Sequence, residues 1–398
     1  MAPDVIFVDQ LSICIPMLRV FCPKAKILFY GHYPDRLLVK QETGLAGQIK
    51  RAYRVPFDTL EGWSTGCSDG IVVNSKYTRS VFRQTFPQFR SRELKVIYPC
   101  VDTKDAEASL DTPPVWPHKK VLLSINRFEG KKNLALAIKA YAGLSQDERT
   151  GARLVLAGGF DPMNHENAST HKDLQALAES VGLSHATFKP RDTAVTDMST
   201  EDVDVLFLLS IPQDLKQRLL RSASLLIYTP TNEHFGIVPL EAMLASIPVL
   251  ATNTGGPLET IYDGRTGWLR SPEQVQLWTD VMRKPLIPSS SDALKKMGQL
   301  GKERVLAEFS ETKMTQAFDQ EMQRLLQSTA NRPRVVPDWL FALLFTTAIA
   351  IPGSYIAMKV MWWAVEMEEA KYLAKLAENA TETMSSVAAS VSASKDEL

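Results

Sequence analysis

The chain has 398 residues, of which 45% are hydrophobic and 23% charged, a composition typical of globular proteins and a length that suggests two or three domains. Its 45 basic and 45 acidic residues cancel, which excludes recruitment of nucleic acid by a bulk positive field, so phosphate groups must be met by a few placed cations. The four cysteines, Cys14, Cys22, Cys67 and Cys100, show no CxxC pair and no metal-ligand spacing, which favours reduced thiols in a cytosol-facing domain.

Residues 1–103 alternate between short apolar runs and helical stretches. The predicted strands are 5–8, 26–30, 70–74 and 95–98, and the predicted helices include 50–66 and 76–86. Buried parallel strands have this pattern, and its alternation with helices predicts a doubly wound α/β domain. Ser75 is a candidate cap for the helix that begins near Lys76.

A polar loop with the sequence YGHYPD occupies residues 30–35, after the second of these strands. In open parallel sheets, ligands bind where strands end. His32 in this loop could therefore position an acceptor or stabilise developing charge. A surface histidine with an ordinary hydrogen-bond partner also accounts for it, and from the residues alone that explanation is the better one.

Residues 104–119 contain the run DTPPVWP and no clear periodicity, so they are interpreted as an interdomain linker. A predicted strand at 120–127 runs into a loop with Arg127 and Lys132, and a helix is expected to begin near Asn133. Two cations in reach of a departing diphosphate would stabilise it without a metal. An exposed basic turn, with Lys131 as a further member, explains the same residues equally well.

The second domain is predicted over residues 120–330. Further strands are expected at 153–158 and 205–209, and helices at 171–181, 213–222, 273–283 and 292–327. An Asp-x-Asp triplet at 202–204 precedes a strand rather than ending one, so no metal site is predicted there.

The most informative stretch is 229–259, which follows an apolar strand at 225–228. It contains a polar loop with Glu233, a short helix with Glu241, a second strand and a Gly-Gly turn. The N–H groups at the start of the helix, around Ile237, have no intrahelical partner and suit a phosphate. Gly236 would permit close backbone approach to it.

The whole phrase is more specific than its parts. Glu-x7-Glu is followed by GGPLE at 255–259 and by Asp-Gly-x-Thr-Gly at 263–267, which resembles the signature of retaining GT-B glycosyltransferases of family 4. Within that family, NEHFGIVPLEAM (232–243) and SINRFEGKKN (124–133) resemble the mannosyltransferases of the dolichol pathway. The resemblance implies an α/β GT-B fold with two Rossmann-like doubly wound domains. In that fold the last helix crosses back to the first domain, and residues 310–326, with an apolar stripe at Met314, Phe318, Met322 and Leu325, are the candidate.

The resemblance also implies roles for residues of this chain. Arg127 and Lys132 would hold the diphosphate, Glu241 the ribose hydroxyls, and Glu233 would face the sugar–phosphate side. The N–H groups of the segment 235–237 and the turn at 255–259 would complete the substrate site, and the loop at 30–35 would be functional through His32. The members of those two segments are Phe235, Gly236, Ile237, Gly255, Gly256 and Glu259.

The reaction implied is transfer from GDP-mannose, without a metal cofactor, to a dolichyl-diphosphate-linked oligosaccharide, forming α-1,3 and α-1,6 linkages. The acceptor hydroxyl would attack the face that the diphosphate leaves, with retention of configuration. Two alternatives stay open from the residues. One is a family 4 enzyme with another donor, such as UDP-N-acetylglucosamine. The other is a catalytically impaired fragment that serves as a nucleotide-binding or assembly subunit, since the first domain lacks the family's glycine-rich loop and is expected to be incomplete, as in an N-terminally shortened form.

The tail predicts a membrane segment at 335–365. Residues 339–358 are mostly apolar and uncharged, long enough to span a bilayer, although Pro352-Gly353 could kink the span or make it re-entrant. Trp339, Trp362 and Trp363 suit interface anchors, and basic residues before the segment favour a cytosolic catalytic domain. Residues 366–398 end in KDEL, an endoplasmic reticulum retention address, and carry a glycosylation sequon at 379–381. The expected location is therefore the endoplasmic reticulum membrane with a lumenal tail, and other dolichol-pathway transferases are candidate partners.

Overall fold

Apolar runs from the first hundred residues form a parallel sheet of four strands in the order β1-β2-β3-β4. This is seen in a computed structural model that describes residues 3–38, 54, 57–103, 115–189, 203–329, 345–368 and 370–371. The strands are β1 (Val5–Asp9), β2 (Lys26–Gly31), β3 (Gly70–Val73) and β4 (Lys95–Val96). The last is two residues shorter than predicted. The helices of this part are α1 (Ile15–Phe21), α2 (Asp35–Leu38), α3 (57–66) and α4 (Lys76–Thr85), and the start of the helix predicted at 50–66 lies outside the described residues.

Helices cover both faces of this sheet, which explains why β2 and β3 are apolar on both sides. On one face Phe82 of α4 is buried against Phe29 and Val73. Ser75 caps α4 as predicted, because its side chain accepts a hydrogen bond from the Thr78 N–H at 2.9 Å. Gly31 is the most closely packed glycine of this sheet, because a Cβ atom at this position would come within 2.6 Å of the Phe82 ring.

A second parallel sheet has seven strands in the order β11-β10-β9-β5-β6-β8-β7. Its strands are β5 (Lys120–Ile125), β6 (Ala152–Gly158), β7 (His185–Phe188), β8 (Val205–Leu209), β9 (Ala223–Tyr228), β10 (Val249–Thr252) and β11 (Gly267–Arg270). From β5 the chain moves to one side, through β6, and later resumes on the other side with β9. The strand order therefore reverses between β5 and β9, and such a switch point is where open α/β sheets bind ligands.

Ten helices are described around the second sheet and after it. They are α5 (Leu134–Ala142), α6 (Gln146–Thr150), α7 (His165–Ser180), α8 (Gln213–Ser222), α9 (Ile237–Leu244), α10 (Pro257–Thr260), α11 (Val275–Arg283), α12 (Ser291–Glu308), α13 (Glu311–Gln327) and α14 (Phe345–Glu368). The prediction for α7 began six residues late, because Asn164 caps the helix by accepting from the N–H groups of Glu166 and Asn167.

The region predicted to be helical at 292–327 consists of two helices, α12 and α13, with a break between them, and α13 corresponds to the last helix expected at 310–326. Phe309 at the break is 1% exposed and lies beside the rings of Tyr98 and Phe235. Its carbonyl accepts a hydrogen bond from the Val101 N–H at 3.1 Å. Packing and pairing at this point therefore override a continuous helix.

Helix α13 packs against the first sheet, on the face opposite α4. Leu325 is buried with Leu28 and Val72, and the remaining members of the apolar stripe lie partly buried around it. The Phe318 ring makes an edge contact with Tyr30 at 5.3 Å between centroids. The end of this unit thus covers the sheet formed by its beginning.

The chain divides into two compact units, Met1–Pro333 and Arg334–Leu398, and both sheets belong to the first. Within the described residues, one helix is long and apolar enough to cross a membrane, judged by its length and composition alone. It is α14, in the second unit. It is helical through Pro352 and Gly353. Trp339, the sequon and the KDEL sequence lie outside the described residues, as do residues 104–114, and the predicted domain boundaries stay predictions.

Candidate active site

The loops that follow β5 and β9 meet at the switch point of the second sheet. Lys132 lies in a 3-10 turn (Gly130–Lys132) after β5, and Asn133 ends the turn with a φ of 48°, a left-handed conformation that asparagine tolerates. The Lys132 Nζ lies 2.6 Å from Glu233 Oε2, and the two side chains are only 11% and 23% exposed. The Thr229 hydroxyl donates to the Lys132 carbonyl at 2.6 Å. These contacts bring together two residues that the sequence predicted for one site.

Glu233 has a second partner that sequence reasoning missed. Tyr228, the last residue of β9, is 3% exposed and hydrogen-bonds the Glu233 side chain. Burial, together with the charge and hydrogen bond of Glu233, raises the pKa of Tyr228 well above its ordinary value. The Glu233 carboxylate is therefore held between an ammonium and a phenol. A signal was available, because Tyr228 is a polar-tipped residue where an apolar strand ends.

Arg127 follows β5 at the outer rim of the same loop. Its Nη1 lies 3.1 Å from Glu129 Oε1, and the side chain is 63% exposed. Lys131 contacts the other oxygen of Glu129, also at 3.1 Å, and is 66% exposed. The two predicted cations thus differ, since Lys132 is buried against Glu233 and Arg127 faces solvent. The backbone of Gly159 passes close by, and a Cβ atom there would lie 3.3 Å from Arg127 Cγ.

Glu241 lies on α9, one turn from the start of the helix, and is paired with Lys216 of α8. The Lys216 Nζ lies 2.7 Å from both carboxylate oxygens, with side chains 19% and 24% exposed. The sequence did not identify Lys216. The only signal was its position, one turn into the helix that follows β8. That signal was weak, because α8 carries several other polar residues.

The start of α9 has the geometry of an anion site. Gly236 precedes the helix with φ 89°, a conformation open to glycine. Ile237 has a 46% exposed side chain, whereas Phe235 is 3% exposed and stacks on Tyr98 with centroids 5.6 Å apart. Phe235 can therefore offer only its backbone to a ligand, while its ring is part of the core.

The Gly-Gly turn packs directly against this loop. Gly255 has φ 68°, and a Cβ atom there would come within 2.5 Å of the Glu233 carbonyl oxygen. A Cβ atom on Gly256 would lie 2.1 Å from the Phe235 carbonyl oxygen, and the Gly256 N–H donates to the Glu233 carbonyl at 2.7 Å. Both glycines are therefore needed for the loop of Glu233 to keep its shape.

Glu259 is directed away from this loop, toward the first sheet. Its carboxylate accepts hydrogen bonds from the N–H groups of Lys76 and Tyr77, at 2.8 and 2.7 Å. Tyr98 also hydrogen-bonds it. These N–H groups belong to the first residues of α4, so the Glu259 carboxylate lies at the positive end of that helix dipole. Glu259 and Lys76 are 183 residues apart in the sequence. The turn after β10 thereby connects to the first sheet.

The first sheet presents the loop after β2 to the loop of Glu233. The Tyr33 ring stacks on His234 with centroids 3.6 Å apart and planes 7° from parallel, and the Ser75 hydroxyl donates to the His234 carbonyl at 2.5 Å. Burial lowers the pKa of His234 to about 4, with Lys132 adding to that effect and Glu233 opposing it. His32 lies in the same loop, with Nε2 2.8 Å from Asp9 Oδ1. The structure therefore places His32 in the loop whose Tyr33 contacts His234, the residue after Glu233.

The described part of the chain contains no group of three or more His, Cys, Asp or Glu residues that could hold a metal ion, and Asp202 lies outside that part. The site instead offers ammonium groups, carboxylates and a helix start. Such an arrangement can bind an anion at α9 and orient hydroxyl groups on either side of it. A nucleoside diphosphate joined to a sugar has that chemistry.

Comparisons with known proteins agree with this geometry. Residues 111–304 match the family model described as Glycosyl transferases group 1. The alpha-1,3/1,6-mannosyltransferase alg-2 of Neurospora crassa is 48% identical over 339 residues, covering 83% of this chain and 71% of the relative. The alpha-1,3/1,6-mannosyltransferase alg2 of Schizosaccharomyces pombe is 42% identical, with 84% of this chain and 65% of the relative covered.

Solved structures share the fold at low sequence identity. Anabaena HepE in complex with UDP and glucose is 17% identical with a TM-score of 0.60, covering 81% of this chain and 78% of that one. The sucrose-phosphate synthase of Thermosynechococcus elongatus is 20% identical with a TM-score of 0.59, covering 81% and 73%. The predicted GT-B fold is confirmed by these neighbours and by the two parallel sheets. On the fold and on its relatives, the chain belongs to the family of alpha-1,3/1,6-mannosyltransferases within the group 1 glycosyltransferases.

Proposed function

We propose that this enzyme transfers mannose from GDP-mannose to a dolichyl-diphosphate-linked oligosaccharide, forming α-1,3 and α-1,6 linkages with retention in the assembly of an N-glycan precursor. The observation that carries the proposal is the Lys132–Glu233 pair at the switch point between β5 and β9, beside the open start of α9. The mannosyltransferase names of the relatives supply the sugar.

In this proposal the diphosphate of the donor lies at the start of α9, where N–H groups of 235–237 meet its oxygens. Lys132 and Arg127 supply positive charge to the leaving diphosphate, so that protein cations rather than a metal ion stabilise the transition state. Glu241 binds the ribose hydroxyls, and Lys216 holds its carboxylate in place. Glu233 faces the junction of sugar and phosphate.

The acceptor approaches from the first sheet. As the diphosphate leaves, the anomeric carbon gains oxocarbenium character, and the acceptor hydroxyl attacks the face that the diphosphate vacates. A departing phosphate oxygen takes the hydroxyl proton, and His32, oriented by Asp9 at 2.8 Å, positions the acceptor. The configuration at the anomeric carbon is retained because attack and departure use one face.

The proposed location is the endoplasmic reticulum membrane, with α14 as the membrane segment, the catalytic unit in the cytosol and the C-terminal tail in the lumen. Other transferases of the pathway would act beside it. The sequon at 379–381 offers a test, because a lumenal tail can be glycosylated. A mobility shift that endoglycosidase removes, and that Asn379→Gln abolishes, is the expected result.

The activity test uses the full chain in detergent with GDP-mannose and a mannosyl-chitobiosyl diphospholipid. Transfer is expected for the wild type and for Lys131→Ala, and loss is expected for Lys132→Ala and Glu233→Ala. Unchanged turnover in the last two variants would refute the assigned site. If calorimetry showed GDP binding but no turnover were found, the chain would be a nucleotide-binding subunit. A preference for UDP-N-acetylglucosamine would show that this nucleotide sugar, rather than GDP-mannose, is the donor.

A further inference from the structure

Helix α4 and the turn after it carry a groove that the donor site does not use. The basic groove has a volume of about 350 Å³ and is lined by Lys76, Arg79, Ser80, Arg83, Gln84 and Arg90. Four of these six side chains are cationic and none is acidic. For a chain with zero net charge, this is a local concentration of positive charge.

Within the described residues, no ion pair neutralises the charge of the groove. The segment 76–92 contains five basic and no acidic residues. Of its basic side chains, Arg92 donates to the carbonyls of Gly66 and Ser68, whereas the four groove cations form no ion pair within the described residues. By comparison, Arg324 in α13 is paired with both Glu93 and Glu321.

Arg83 provides the most direct evidence for a ligand site in the groove. Its Nε is buried and has no hydrogen-bond partner in the part of the chain that the structure describes. A buried donor without a partner destabilises the protein, and arginine is the side chain best suited to bind phosphate oxygens through two parallel hydrogen bonds. A phosphate group in the groove would satisfy this donor and the neighbouring guanidinium of Arg79.

The groove begins at the catalytic cleft. Ser75 and Lys76 at the start of α4 contact His234 and Glu259 of the loops after β9 and β10. Residues 76, 79 and 83 follow one face of the helix, and seven residues of helix extend about 10 Å along the axis. The groove therefore extends outward from the reaction site by roughly two helical turns.

We propose that the basic groove binds the diphosphate of the lipid-linked acceptor. This rests on the proposed function, in which the attacking hydroxyl and the acceptor diphosphate are separated by intervening sugars. A phosphate site away from the reaction centre, on the acceptor side of the cleft, is what such a substrate requires. The donor diphosphate at α9 and the acceptor diphosphate at α4 would then occupy separate cationic sites.

The test compares Arg79→Ala/Arg83→Ala with Lys139→Ala, an exposed lysine of α5 outside both sites. Rates are measured in neutral detergent with two acceptors, the glycan on a diphospholipid and the same glycan on an uncharged alkyl chain. The double variant should raise KM for the diphospholipid at least tenfold and bring it toward that of the alkyl acceptor, with kcat changed less than threefold. GDP affinity and Tm should match those of Lys139→Ala, and Arg79→Lys/Arg83→Lys should recover part of the loss, because lysine restores the charge but not the two parallel hydrogen bonds.

A second measurement is independent of turnover. With GDP saturating the donor site, titration of inorganic pyrophosphate should show binding to the wild type and weakened binding to the double variant. Equal KM values in wild type and variant would overturn the proposal while transfer itself still supported the proposed function. Absence of transfer by the wild type would refute the proposed function. The pyrophosphate titration would still show whether the basic groove binds a diphosphate. A defect seen only with phosphatidylserine vesicles would reassign it to phospholipid headgroups and overturn the acceptor assignment.

Discussion

The Lys132 ammonium and the Glu233 carboxylate form an ion pair of 2.6 Å between loops that are 101 residues apart. Both side chains are largely buried, and removal of one leaves the other as an uncompensated charge. The Thr229 hydroxyl, which donates to the Lys132 carbonyl, also fixes the two loops to each other, and Tyr228 hydrogen-bonds Glu233. The pair is therefore part of the architecture of the site before any ligand arrives.

Replacement of Lys132 by methionine should abolish most transfer. In the proposed function the variant removes positive charge from the leaving diphosphate, and loss of one such group costs on the order of 10²–10³ in kcat. It also leaves Glu233 buried without its partner, so Tm should fall. Initial rates with GDP-mannose and thermal unfolding measure the two effects.

Lys131→Met is the matched control for that variant. It removes a neighbouring lysine that is 66% exposed and pairs with Glu129 rather than Glu233. We expect a rate within a few-fold of the wild type and an unchanged Tm. An equal loss in both variants would mean that only the general charge of the loop matters.

Lys216→Ala should weaken donor binding more than it slows the chemical step. Lys216 holds both oxygens of Glu241 at 2.7 Å, and the ribose hydroxyls that Glu241 binds in the proposed function are bound alike in ground and transition states. Loss of such uniform binding raises KM with little change in kcat. An increase of about tenfold in the KM for GDP-mannose is the expected result, measured by initial rates.

The control for Lys216 is Lys295→Ala. Lys295 is also paired with a carboxylate, that of Asp292, but the two side chains are 78% and 100% exposed, and such pairs contribute little. Its KM should equal that of the wild type. A fall in kcat at constant KM for Lys216→Ala would contradict a ground-state role in donor binding.

The main strands and the donor loops could be predicted because their signals are local. Buried parallel strands are continuous apolar runs, and the positions of Lys132 and Glu233 follow from the ends of two such runs. The edge strands β7 and β11 were missed because their residues, HATF and GWLR, are mixed in polarity and form no continuous apolar run.

Contacts between distant segments are what the sequence could not show. Lys216 acquires its role only when α8 lies beside α9, where its ammonium meets Glu241. Glu259 follows a glycine turn that suits a substrate loop, yet its carboxylate meets the start of α4. No pattern within a window of residues predicts a partner that far away in the chain.

Glu259→Ala should therefore separate donor binding from transfer. Loss of a carboxylate that accepts from two helix-start N–H groups costs roughly 1 kcal/mol of stability. The donor loops lie on the second sheet and should keep their affinity for GDP. Transfer should fall because the loop of His32 and Tyr33 is no longer held at a fixed distance from Glu233.

Calorimetry with GDP, the transfer rate and the free energy of unfolding test this role. Glu303→Ala, an exposed glutamate of α12, is the control and should resemble the wild type in all three. Weakened GDP binding by Glu259→Ala would show that Glu259 contacts the donor instead.

His234 should make the folded state sensitive to mild acid. Its pKa is about 4 in the folded protein, against an ordinary value of 6.5. Between those values the unfolded chain binds a proton that the folded chain does not, so stability is lost as pH falls from 6.5 to 4 and the loss is constant below that range. Partial exposure of the ring limits the effect to on the order of 2 kcal/mol.

His234→Phe retains a ring to stack on Tyr33 and removes the titration. Urea unfolding from pH 7 to pH 4 should give a steeper decline for the wild type than for His234→Phe, since carboxylates titrate alike in both. Parallel curves would show that His234 is protonated as readily in the folded protein as in the unfolded chain.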